Sequence, residues 1–170
     1  RLVFTFLISF TTILFTYLVA IPIGIYSATH QYSPGDYAVT SIGFVGLATP
    51  NFMLALILLF VAFKWFGISL GGLFSDRFLN EPWSVAKFID LLKHLPIPVI
   101  VVGTAGTAGL IRVMRATLLD ELQKQYVVTA RGKGLGEGRL LYKYPVRVSL
   151  NPIVSQFAGV FPATVSGGAI

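Results

Sequence analysis

The chain has no cysteine. Disulfides, cysteine-ligated zinc and thiol catalysis are therefore excluded. Histidine is nearly as scarce. His30 and His94 are the only two, and they fall in loops expected on opposite sides of the chain, so neither a metal set nor a nucleophile–base pair can be assembled around them. Charge is sparse too: Asp, Glu, Lys and Arg make up 12% of the 170 residues, against about a quarter in a soluble domain. No ionisable residue stands in the middle of a long apolar run, which argues against an ion-coupled secondary transporter or a similar channel not driven by ATP. There is no GxxxxGK(S/T) phosphate loop, so the chain cannot hydrolyse ATP by itself. Among the described features of composition, none supports an enzyme, and no cofactor or metal is expected.

What the chain does have is apolar sequence, 55% of its residues, gathered into runs instead of alternating. That is the signature of an all-α integral membrane protein, because about 20 apolar residues at 1.5 Å each cross the hydrocarbon core. Four spans are expected, at approximately residues 2–28, 37–63, 95–116 and 150–170. The first carries Pro22 and Gly24 near its end, where a kink is tolerated in a membrane. Ser33-Pro34-Gly35-Asp36 then reads as a turn. The second is interrupted at Thr49-Pro50-Asn51, either as a packed proline kink or with Asn51 facing a water-filled path. Lys64, Trp65 and Phe66 read as an interfacial anchor. Within loop 64–94, Ser84 to Leu95 reads as a capped short helix with Val85, Phe88, Ile89, Leu92 and Leu95 on one face, lying at the membrane surface or capping the bundle. His94, at its end, reads as a surface residue.

The third span is rich in small residues around Gly103, Gly106 and Gly109, which permit close helix approach. It continues past Arg112 and Arg115, which sit at headgroup level or form an internal ion pair. The last run carries Ser155, Gly159, Ala163 and Gly167 at intervals of four. This stripe marks tight packing or the wall of a path. The chain begins at Arg1 with no Met and stops at Ile170 inside an apolar run, so it reads as a single membrane domain incomplete at both ends.

The basic residues cluster. Between Arg112 and Arg147 stand eight Lys or Arg and only three acids, Asp120, Glu121 and Glu137. Loop 64–94 holds four Lys or Arg and three acids. The positive-inside rule then places loops 29–36 and 117–149 in the cytoplasm and loop 64–94 outside. Because the basic segment lies between lipid-length runs, it is a topology signal and not a nucleic-acid footprint, and no nucleic-acid partner is expected.

Gly132, Gly134 and Gly136 break any helix running through Tyr126–Leu135. Apolar and basic residues mix again from Arg139 to Val148, and Asn151-Pro152 reads as the cap and first turn of the next helix. The shape is helix, glycine elbow, short helix and re-entry, which suits docking into a cleft. The residues Tyr126, Val127, Thr129, Ala130, Arg131, Lys133, Gly134 and Leu135 resemble the cytoplasmic "EAA" loop of bacterial ABC importer permeases. The likeness is to the dipeptide, oligopeptide and nickel branch, whose loops read like Y-V-x-T-A-R-x-K-G-L. Val128 and Thr129 stand where the general motif has Glu and Ala, and Pro145 is displaced from the motif's later proline.

The resemblance implies a multi-span helical bundle of the importer permease type in a bacterial or archaeal inner membrane. It implies a second permease subunit, usually a different homologous chain, and an external substrate-binding protein. It also implies cytoplasmic ABC ATPase subunits that bind the ATP and dock on loop 126–147 through Tyr126, Thr129, Ala130, Arg131, Lys133, Gly134 and Leu135. Arg131 and Lys133 are either rim charges or ordinary positive-inside residues. The implied cargo is peptide, with nickel or small oligosaccharides behind it.

Overall fold

The computed structural model describes residues 2–66, 72–78 and 80–167. Among these every regular element is helical. Helix α1 spans Leu2–Thr29, α2 Pro34–Ala48, α3 Asn51–Phe66, α4 Val85–His94 and α5 Pro96–Leu122. Then come α6, Gln125–Gly132, α7, Glu137–Lys143, and α8, Pro145–Gly167. A single 3-10 turn, Asp76–Phe78, lies in the loop before α4. The segment 3–29 of α1 is by itself long and apolar enough to cross a membrane. α1 runs unbroken through Pro22.

α1 and α5 form the spine. A Cβ built on Gly103 of α5 would lie 3.0 Å from the Phe15 ring of α1, and one on Gly24 of α1 would lie 2.6 Å from Met114 Cβ of α5. Both positions advance together along the two helices, so the helices run parallel and end at the same end of the molecule. Gly103 and, more loosely, Gly106 serve the close approach that their spacing implied, whereas a Cβ at Gly109 would meet nothing within 4 Å. α8 returns antiparallel across this spine. Thr117 Oγ1 donates to Ser149 O at 3.4 Å, and Tyr17 OH donates to Ile153 O at 3.2 Å. The core beneath these contacts is Ala20, Ile25, Ala28, Leu110, Met114, Leu118, Val146 and Ile153.

α8 starts earlier than expected. Pro145, not Pro152, occupies its first turn, and Asn151 and Pro152 lie inside the helix. The reason is the capping geometry: a proline suits the first helical position because its missing N–H has no partner to lose there, and Pro145 meets that condition first. The helix that continues the third run past Arg115 ends at Leu122, and α6 begins at Gln125.

The interruption in the second apolar run falls where expected, at Thr49-Pro50, but it is a corner. α2 and the helix after it meet at 106°. α2 opens with Pro34 in its first turn, and Ser33 Oγ accepts from the Asp36 N–H at 3.1 Å.

α4 has the expected cap, with Ser84 Oγ accepting from the Lys87 N–H at 3.2 Å. Its orientation is informative. Val85, Phe88, Ile89 and Leu92 are exposed, while Lys87, Asp90, Leu91 and His94 are buried. The polar face packs on the preceding loop. Asp90 accepts from Ser75 N at 2.8 Å and Ser75 Oγ at 2.7 Å. Lys87 Nζ donates to Glu81 O at 2.6 Å and lies 5.1 Å from the Phe74 ring centre. His94 is therefore not a surface residue. It is buried, with Nδ1 2.8 Å from Asp90 O. Phe4 of α1 meets Phe74 and Trp83, which closes this end of the bundle opposite the end where α1 and α5 finish.

Candidate functional site

The glycine elbow is a small folded unit. α6 ends in a motif that satisfies its own carbonyls. Gly134 has φ 81°, a region that an L side chain enters only at a cost of about 1–2 kcal/mol. Gly134 N donates to Arg131 O at 3.0 Å, and Leu135 N donates to Ala130 O at 3.4 Å. These are the two crossing bonds of a Schellman cap, and the cap's usual apolar contact is present as well. Leu135 packs with Tyr144 against a core of Val127, Ala130 and Leu140, of which Val127 and Leu140 are fully buried. Burying one such aliphatic side chain stabilises by about 1.5–3 kcal/mol. Gly136 caps α7.

Charge closes the elbow from outside. Arg131 donates to Glu137 from Nε at 2.6 Å and from its terminal NH2 at 3.1 Å, a bidentate pair across the glycine turn. The hydrogen bond from Arg131 holds the Glu137 carboxyl below the usual carboxylate value, and the same bond raises Arg131. Tyr126 OH donates to Glu121 Oε2 at 2.5 Å, which ties α6 back to the end of α5. Burial, then the bond to that carboxylate, pushes the Tyr126 hydroxyl up to about 12. It therefore remains a donor at any physiological pH.

The residues singled out in the sequence divide into two groups. Tyr126, Thr129, Arg131, Lys133 and Gly134 are exposed, and Leu135 is half-buried. Ala130 turns inward and is part of the elbow's own core. Its small side chain lets α7 close on α6 at Leu140. Beside the elbow, Ala28 and Thr29 of α1 and Leu122 of α5 face Arg131, Glu137, Leu140 and Leu141 across a cleft of about 350 Å³. The end of α1 thus borders the elbow directly.

A second cluster lies one turn further in. Asp36, on α2, is buried. It accepts from Ser27 Oγ on α1, from the Tyr32 N–H at 3.0 Å and from Arg115 on α5 at 3.0 Å. Of the two arrangements open to the arginines, Arg115 adopts the internal ion pair. Arg112 instead lies 5.4 Å from the Phe44 ring centre. Turn chemistry explained Asp36 adequately in the sequence, and nothing local pointed to a partner 79 positions away.

The comparisons with known proteins bear on this arrangement. Residues 20–170 match the family described as binding-protein-dependent transport system inner membrane component. The chain belongs to that family. Among its relatives, the oligopeptide transport system permease protein AppB of Bacillus subtilis (strain 168) is 36% identical over 173 residues, covering 100% of this chain and 52% of its own length. The inner membrane ABC transporter permease protein YejB of Escherichia coli O157:H7 is 34% identical over 160 residues, covering 92% and 44%. The di/tripeptide transport system permease protein DppB of Pseudomonas aeruginosa (strain UCBPP-PA14) is 30% identical over 178 residues, covering 96% and 52%. The chain spans about half the length of the curated relatives it matches.

The remaining positions stand apart from the elbow. Asn51 is exposed at the start of α3, on the corner with α2. Ser155 and Gly159 are exposed on α8, and a Cβ at Gly159 would meet nothing within 4 Å. The side chains of Ala163 and Gly167 lie outside the described residues.

Proposed function

We propose that this chain is the membrane-embedded part of a permease subunit in an ATP-driven peptide importer. In this reading residues 2–28, 37–63, 95–116 and 150–170 span the membrane as a bundle, loop 64–94 is external and loop 117–149 is cytoplasmic. The elbow at 126–147 docks a cytoplasmic ABC ATPase, which binds the ATP. Tyr126, Thr129, Arg131, Lys133, Gly134 and Leu135 form the docking side, and Ala130 supports it from beneath. Asn51 and the Ser155, Gly159, Ala163, Gly167 stripe line the path or meet a second permease subunit. An external binding protein delivers the cargo. The chain itself catalyses nothing.

One observation carries the reading most directly. The elbow is capped and has a small core of its own, and it is attached where α1 and α5 end together. A loop that served only to reverse the chain or hold it by charge would need neither the cap nor the core. The relatives' names point to peptides as the cargo class, and the basic excess of loop 117–149 favours its cytoplasmic placement.

The test is reconstitution of the full-length protein with its ATPase, second permease and binding protein in liposomes. Wild type is expected to show peptide-stimulated ATP hydrolysis and uptake. Ala130→Glu places a carboxylate in the elbow core and should abolish ATPase docking while the protein still inserts. Normal hydrolysis and uptake in that variant would reduce the elbow to a topology signal. Cysteine labelling tests the sidedness independently: an impermeant reagent added outside should modify Arg77→Cys and spare Lys133→Cys.

A further inference from the structure

Asp36 joins four segments through one carboxylate. Ser27 Oγ reaches it from the last turns of α1, and the Tyr32 N–H reaches it from the turn at 3.0 Å. Arg115 reaches it from α5 at 3.0 Å, and Asp36 itself begins α2. Tyr32 has φ 61°, a conformation that non-glycine residues seldom hold without support. Its bond to Asp36 supplies that support. The carboxylate's side chain is 4% exposed, and that of Arg115 is 32% exposed. A shift that broke the pair would therefore leave the buried acid its Ser27 and Tyr32 donors but no opposite charge, whereas the base could turn to solvent.

Two further facts bear on movement. Ser27 is followed by Ala28 and Thr29, which form one wall of the cleft beside the elbow. Arg115 lies on the same helix as Leu122, which forms another part of that wall. The elbow thus abuts both helices that Asp36 ties together. In addition, the contact is single-point. Only one terminal guanidinium nitrogen meets Asp36, and Arg115 Nε is buried without a partner among the described residues. The same planar group thus holds a spare donor, so a small shift of α5 along α2 need not leave the carboxylate without a guanidinium donor.

We propose that Asp36 is the positioning residue that makes the end of α1, the α1–α2 turn and α5 follow the elbow as one unit, with Arg115 as its adjustable partner. This inference rests on the coupling role proposed above. Movement imposed on α6 and α7 reaches α5 through the chain itself and reaches α1 across the cleft. Asp36 keeps the two responses in step and passes them to α2, whose far end is the corner at Thr49-Pro50. Without the carboxylate, the same displacement loosens the turn and is lost before it reaches α2.

The experiment uses the complete transporter in proteoliposomes, with radiolabelled tri- to pentapeptides as the probe. Asp36→Asn keeps the size of the side chain and removes its charge. We expect this variant to assemble and hydrolyse ATP, with uptake per ATP reduced at least about tenfold. Arg115→Lys retains a single-point donor and should recover most of the coupling, whereas Arg115→Gln should not. A second readout is independent of uptake: spin labels at the exposed positions His30 and Arg139. Their separation should stay narrow through the nucleotide cycle in wild type and broaden in Asp36→Asn. Wild-type uptake per ATP in Asp36→Asn overturns the inference. So does a loss of uptake that only tracks a loss of assembled complex, with the label distance unchanged. If wild type itself shows no ATP-driven uptake, it is the importer assignment that fails, and this inference with it.

Discussion

A Cβ at Gly24 would sit 2.6 Å from the Cβ of Met114, whereas a Cβ at Gly134 would meet nothing within 4 Å. The first glycine is required by its neighbour and the second by its own backbone, whose φ is 81°. The two positions represent two ways of holding helices. In the α1–α5 spine, a side chain of one helix packs onto a glycine of the other until no Cβ fits there, and stability depends on partners far apart in sequence. The elbow is held chiefly by near neighbours: a local cap, a three-residue core and one surface ion pair. The spine is therefore sensitive to added volume and the elbow to lost volume or changed backbone.

Gly24→Leu should be the most damaging single change. Overpacking usually costs about 1–3 kcal/mol, and the obstruction here is a buried Cβ with little freedom to yield, so the cost should exceed that range. The expected result is loss of the monodisperse full-length protein in detergent. A Gly24→Leu protein that melts like wild type would show that α1 and α5 do not pack as described.

Leu140→Ala should come next, at about 2–4 kcal/mol for a fully buried leucine, but confined to the elbow. Limited proteolysis should cut between residues 132 and 144, while a cross-link engineered between α1 and α5 forms as in wild type. Gly134→Ala should cost less, about 1–2 kcal/mol, and appear as faster amide exchange at position 134 and at Leu135. Uniform exchange across the spine in either variant would erase the distinction between the two regions.

The smallest effect is electrostatic. Glu137 is held below its ordinary value of 4.5 by the hydrogen bond from Arg131. A lowered folded-state value means that the carboxylate's contribution is complete above 4.5 and fades as pH falls through the lowered value. The pair is exposed, so salt should weaken it too. Elbow protection measured by exchange should fall slightly at acid pH, and Glu137→Gln should remove that pH dependence without touching the spine.

The elbow was the more legible half. Its glycines act through φ and capping, which depend on neighbours a few positions away, and Ser84 announced the start of α4 for the same reason. What the sequence hid depends on distance. Arg115 carried two open readings until its partner on α2 could be seen. Ala130 was legible as small but not as inward-facing, because that depends on where α7 folds back. His94 was misjudged because α4 turns its polar face inward, and the loop that receives that face is irregular. The start of α8 was misplaced because two prolines, Pro145 and Pro152, both offered an acceptable first turn.

The corner between α2 and α3 has a consequence for water. Thr49 spends both its N–H and its hydroxyl on Val45 O, at 3.0 and 2.7 Å, and Pro50 has no N–H to offer. A helix end leaves its last carbonyls and first N–H groups without helical partners. At 106° the end of one helix and the beginning of the next bring both sets to the same place. Hydrocarbon cannot solvate such groups, so within a membrane they must meet water or protein. Where residues 37–63 cross a membrane as proposed above, the backbone at Thr49-Pro50-Asn51 therefore requires a polar environment within an almost wholly apolar stretch, and hydration there would be a property of the fold itself.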